Sequence, residues 1–82
     1  MKKYEEVKSL VFKILKRNYG IEGACVNVRL KKDLGLLEIN ILEMFLTLES
    51  HYDISVDDHE IDIVSTVEEL IKTVELQLLY AS

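Results

Sequence analysis

The chain contains no proline and no tryptophan, a single cysteine at Cys25, three glycines, and no apolar run long enough to span a membrane. Without proline there is no rigid proline-rich linker or ligand segment. One cysteine excludes an intramolecular disulfide and fits a reducing compartment. Gly20, Gly23 and Gly35 do not make a phosphate-binding loop. Met1-Lys2-Lys3 is basic, but Glu5, Glu6, Lys8 and Lys13 interrupt the apolar residues that a signal peptide would need in one block. These absences lead to the expectation of a soluble cytoplasmic protein with no membrane association.

What is present is enough for one core. Eighty-two residues with 49% hydrophobic content suit a single domain over 1–82 that needs neither metal nor disulfide. The net charge of -5 hides a division: residues 1–32 hold nine Lys/Arg against three Asp/Glu, and residues 33–82 hold Lys72 alone against twelve Asp/Glu. An acidic half of this size repels nucleic acid and favours basic protein surfaces. The lysines of the first segment lack aromatic interleaving, so nucleic-acid binding is not expected.

Tyr4, Val7, Val11 and Ile14 recur at helical spacing and predict an amphipathic helix over roughly 3–18, closed by Gly20. Ala24, Val26, Val28 and Leu30 alternate with polar residues as in a strand, but nothing later offers a partner strand. The segment is therefore read as an extended loop with Val26, Val28 and Leu30 turned inward. A second helix is predicted from about Leu36 to Ser50, with Leu37, Ile41, Met44, Phe45 and Leu48 in the core and Ile39, Leu42 and Leu46 on a separate stripe. Asp57 followed by Glu60 reads as a capping box opening a short helix, and Ser65-Thr66-Val67-Glu68 opens a last helix that turns Val67, Leu70, Ile71, Val74 and Leu78 inward.

Asp33-Leu34-Gly35, an amphipathic helix with Glu43 and Glu49, then Tyr52-Asp53-Ile54 and Ser65-Thr66-Val67 together resemble the acyl carrier proteins and related peptidyl carrier domains. The resemblance is close over about half the chain and holds in outline over the rest. It implies an all-α, acyl-carrier-protein-like four-helix bundle of three main helices and one short one, with a long first loop. In that family an Asp-Ser-Leu signature follows the Asp-Leu-Gly, and its serine is esterified to 4'-phosphopantetheine. The matching positions here are Leu37-Glu38-Ile39. A carboxylate cannot serve as that hydroxyl, so no cofactor is expected at Glu38. The carboxylate has a plain use there, since a negative charge in the first turn favours the helix dipole by about 0.3–1 kcal/mol. A sharper reading is that it imitates the phosphate of a modified serine.

No other serine replaces the missing one. Ser9 precedes Leu10 but lies inside the first helix, Ser50 is at the wrong end of the second, Ser65 reads as a cap, Ser82 is terminal, and Ser55 is no persuasive substitute. His51 and His59 with their acidic neighbours lack the spacing of a zinc or EF-hand site. Cys25 has no partner histidine and reads as a small, partly buried hydrophobe. No catalytic constellation remains, so the chain is not expected to be an enzyme. The sequence points to a carrier-like monomer that works through protein contacts with acyl-transfer, synthase or ligase enzymes, meeting their basic surfaces through Glu38, Ile39, Leu42, Glu43, Leu46 and Glu49. The alternatives are a genuine acyl or aminoacyl carrier in a divergent fatty-acid, polyketide or nonribosomal-peptide-type pathway, charged elsewhere, and a small helical regulator.

Overall fold

In the computed structural model, which describes residues 2–81, the N-terminal segment winds into α1 (Lys2–Tyr19), close to its predicted limits. Val7, Val11, Ile14 and Leu15 are buried along one face. The helix stops because Gly20 turns left-handed (φ 68°), which costs glycine little. Its N–H then bonds Lys16 O at 3.1 Å while Ile21 N–H reaches back to Leu15 O at 3.0 Å.

The alternating segment finds a partner that the sequence did not reveal. Leu30 N–H donates to Ser65 O (2.8 Å), Val67 N–H to Val28 O (3.1 Å) and Glu68 N–H to Val26 O (2.7 Å), around an isolated antiparallel bridge between Arg29 and Thr66. Leu30 is fully buried, and Val26 and Val28 are half-buried against the core. The loop thus stays out of any sheet, and Val26 and Val28 supply acceptors to the first N–H groups of α4 (Val67–Ala81) while Leu30 donates to the residue before its cap.

Asp33-Leu34-Gly35 is a single helical turn with a glycine stop. The Asp33 carboxylate accepts from Arg29 N–H at 2.7 Å and pairs with the Arg29 guanidinium at 3.2 Å. Gly35 (φ 71°) bonds Lys31 O, and Leu36 N–H returns to Leu30 O, the same nested pair that ends α1. Leu36 is thereby consumed by the turn and buried beside Leu30. Consequently α2 runs Glu38–Tyr52, two residues later than predicted. Leu37 is the extended N-cap residue, mostly exposed, and not a core position as expected. Asn40 Oδ1 accepts from Leu37 N–H at 2.9 Å, but leucine returns no side-chain bond. From Ile41 onward the prediction holds, with Ile41, Met44, Phe45 and Leu48 all buried.

Asp53 ends α2 in the left-handed region (φ 55°), its N–H on Glu49 O. Aspartate is one of the few residues that tolerates this conformation. The short α3 (Asp58–Ile63) is capped by Asp57, whose carboxylate accepts from His59 N–H at 2.8 Å. Glu60 does not close a capping box; its carboxylate accepts from Gln77 of α4 instead. The cap of α4 is Thr66, one residue later than predicted. Glu69 N–H donates to Thr66 Oγ1 at 3.1 Å, and the Glu69 carboxylate accepts from Ser65 N–H at 2.7 Å. Val67, Leu70, Ile71 and Val74 are buried as predicted, and Leu78 is half-buried. The Tyr4 hydroxyl donates to the Glu68 carboxylate across α1 and α4, and this bond, with desolvation and nearby carboxylates, pushes the phenol pKa up to about 12.

Phe45 and Leu48 have no exposure, so truncating either to alanine should cost roughly 2–5 kcal/mol in denaturant unfolding. An unchanged midpoint in both variants would refute the core assignment. Asp33 offers a pH test. The hydrogen bonds from Arg29 hold its carboxyl below the usual carboxylate range, so its stabilising contribution is complete above that range and is lost as pH falls through the lowered folded value. Asp33→Asn should therefore lose less stability than the parent between about pH 5 and pH 2. Identical acid limbs in the two proteins would show the pairing with Arg29 to be inert.

Candidate docking face on the second helix

The burial of Ile41, Met44, Phe45 and Leu48 decides what α2 shows to solvent. Ile39, Leu42 and Leu46 fall between those positions and are 55%, 37% and 53% exposed, a stripe of three large aliphatic side chains one turn apart. Among the described residues they are the exposed large hydrophobics within α2, which matches the predicted stripe.

Its predicted acidic border is less uniform. Glu38, the first residue of α2, has its side chain 87% exposed and pairs with Lys31 Nζ at 3.0 Å. An ion pair so exposed contributes little stability, up to about 1 kcal/mol. Glu43 lies 3.1 Å from the Tyr19 hydroxyl, which also approaches Asn40 O at 3.1 Å. Burial and the Glu43 carboxylate both push the Tyr19 phenol up from its ordinary value. This contact ties the end of α1 to the second turn of α2, and no sequence pattern pointed to it. Glu49 differs from the expectation of a free border charge: it is half-buried, and its carboxylate accepts from Val56 N–H at 2.6 Å, which fixes the loop after α2.

Between the start of α2 and α3 lies an open cleft of about 600 Å³. Ile39, Ile41, Leu42, Ile61 and Val64 line it, with Lys31, Glu38, Asp58 and Asp62 as its charged residues. The volume falls in the range of small-ligand and side-chain pockets. Sequence reading missed the cleft, because Ile61 and Val64 join α2 only through the tertiary fold. Elsewhere the surface offers less chemistry. Among the described residues no group of three His, Cys, Asp or Glu is placed to hold a metal ion, and no helix is long and apolar enough to cross a membrane. Cys25 is exposed, against the expectation of partial burial.

No protein-family model matches the chain. An acyl carrier protein of Thermotoga maritima is 28% identical over 76 residues, which cover 90% of this chain and 94% of that protein. The crystal structure of acyl carrier protein from Thermotoga maritima superposes with a TM-score of 0.87 at 20% identity, covering 98% of this chain and 95% of the other. The chain is acyl-carrier-protein-like in sequence and in fold.

The first turn of this acyl-carrier-protein-like α2 does not suit a phosphopantetheine ester. Leu37, Glu38, Ile39 and Asn40 supply no hydroxyl, and a phosphoryl group on the Glu38 carboxylate would be a labile mixed anhydride instead of a stable phosphodiester. Of the other hydroxyls, Thr47 and Thr73 bond backbone carbonyls one turn back, and Thr66 caps α4. Ser9 is inside α1; Ser50 is in the last turn of α2. Ser82 lies outside the described residues.

Exposure predicts how the stripe responds to truncation. Leu42→Ala and Leu46→Ala should each shift stability by less than about 1 kcal/mol, well below Leu48→Ala. Calorimetric unfolding that placed Leu42→Ala level with Leu48→Ala would move the stripe into the core.

Proposed function

We propose that this chain is an acyl-carrier-protein-like module that carries no covalent 4'-phosphopantetheine and acts by docking onto enzymes of acyl metabolism. The observation behind this reading is Glu38. It is the first residue of α2, solvent-exposed and paired with Lys31, at the position where the resemblance requires the attachment serine. Without a hydroxyl there, the protein brings an enzyme a surface and no tethered group. That surface is the Ile39, Leu42 and Leu46 stripe with Glu38 and Glu43 at its edge.

Such a face suits a basic patch beside an apolar groove on an acyl-transfer, synthase or ligase enzyme. The carboxylates steer the approach and raise the association rate, and burial of the aliphatic stripe supplies the apolar part of the affinity. Glu49, already bonded within the fold, contributes charge at longer range. The reading assigns no catalytic step to the chain.

Modification is the test. Incubated or co-expressed with a broad-specificity phosphopantetheinyl transferase, the protein should keep its unmodified mass in intact mass spectrometry. The double variant Leu37→Asp, Glu38→Ser should gain one phosphopantetheine, at least in part. A gain on the parent chain, mapped to any serine, would overturn this reading and make the protein a working carrier.

A further inference from the structure

Two rows of exposed charge, opposite in sign, stand on α1 and α3. On α1, Lys13, Lys16 and Arg17 are exposed, and none of them enters an ion pair among the described residues. At spacings of three and four they share one face of the helix, and Lys13 and Arg17 stand one turn, about 6 Å, apart along the axis. On α3, Asp58 and Asp62 are likewise exposed, outside any ion pair among the described residues and one turn apart, and both line the α2–α3 cleft. The cation of that cleft, Lys31, is already held by Glu38.

A cleft with aliphatic walls and spare carboxylates calls for a cation on an aliphatic stem. Lysine and arginine side chains have that form, laying methylenes on apolar surface while the charged head reaches a carboxylate. The chain itself presents such side chains at the spacing of the carboxylates. We propose that the α2–α3 cleft receives the α1 row of a second copy of this chain, with Lys13 and Arg17 set against Asp58 and Asp62 and their stems over Ile39 and Leu42.

The two faces share no residue, so the contact is head to tail and each dimer keeps one unused face of each kind. Association continues into short chains or closes as a ring. The net charge of -5 on each copy opposes approach, so the contact belongs to the weak, concentration-dependent class. It departs from the monomer expected from the sequence, because only the fold gathers Asp58, Asp62 and the stripe of α2 around one cleft. The inference does not depend on the docking of other enzymes.

Sedimentation equilibrium of the full chain over a range of concentrations tests it. At low salt the weight-average mass should climb with concentration above the 9.5 kDa monomer. In about 1 M salt, where the screening length is about 3 Å, it should return to the monomer. Two double variants neutralise one row each: Lys13→Gln with Arg17→Gln, and Asp58→Asn with Asp62→Asn. Each alone should remain monomeric. Mixed, they should form a 1:1 complex of twice the monomer mass and nothing larger, because each retains the face the other lacks; this pairing also certifies that both are folded. A parent protein that stays monomeric at every concentration overturns the proposal. So does association that survives in either variant, as it would if the exposed Leu76, Leu79 and Tyr80 of α4 were the contact, and so does a mixture that fails to pair while the parent associates.

Discussion

The structure depends on three backbone hydrogen bonds between the first loop and the start of α4. The connection from Gly20 to Leu37 has neither a regular element nor a proline to stiffen it, and a segment of that length is costly to order. It is held because Val26 O and Val28 O receive the Glu68 and Val67 N–H groups while Leu30 N–H bonds Ser65 O. Each side solves the other's problem. A helix N-terminus has donors with no partner inside the helix, and an extended segment without a neighbouring strand has acceptors with none. Leu30, fully buried at that junction, adds the apolar term.

The position of α2 follows from this junction. With Leu30 fixed, the turn through Asp33 and Gly35 returns Leu36 N–H to Leu30 O, and the helix cannot begin before Leu37. Glu38 is therefore the first helical residue and projects into solvent beside Lys31, with no role in the core. Its identity is free of packing constraints. The same register puts Ile41, Phe45 and Leu48 inside and leaves Ile39, Leu42 and Leu46 outside. The character of the first residue and the presence of the aliphatic stripe are thus physically separable: one can change with no effect on the other.

Helical periodicity made the buried faces of α1, α2 and α4 legible, since an apolar residue every three or four positions lines one side of a helix and fits neither a strand nor a loop. Boundaries were harder. Leu36 and Leu37 are equally apolar, and the glycine turn that returns Leu36 N–H to Leu30 O, beside the buried Leu30, decides which is buried. Ser65 and Thr66 are both good caps; the backbone bridge of Arg29 to Thr66 selects the second and with it Glu69 over Glu68. Glu49 carried the composition of a surface charge but is drawn in by the Val56 N–H. Tyr19 could not be linked to Glu43, nor Ile61 and Val64 to the cleft, because those contacts span elements whose packing no local pattern encodes. The stripe of Ile39, Leu42 and Leu46 was legible for the opposite reason, being a property of a single helix once its buried side is known.

Charge follows the same division between local and tertiary information. The basic and acidic halves are visible in the sequence, but whether they meet inside the molecule is a matter of packing. They meet sparingly: among the described residues the ion pairs are Arg29 with Asp33, Lys31 with Glu38, and Glu68 with Lys72, all of them well exposed on the lysine or arginine side. Asp58, Asp62, Lys13, Lys16 and Arg17 enter none of these pairs. The core buries no polar side chain among the described residues. Burying those charges unpaired would have cost several kcal/mol each. Those five side chains therefore stay at the surface, and a chain of net charge -5 presents a row of cations on α1 and a cleft edged with carboxylates to whatever it meets.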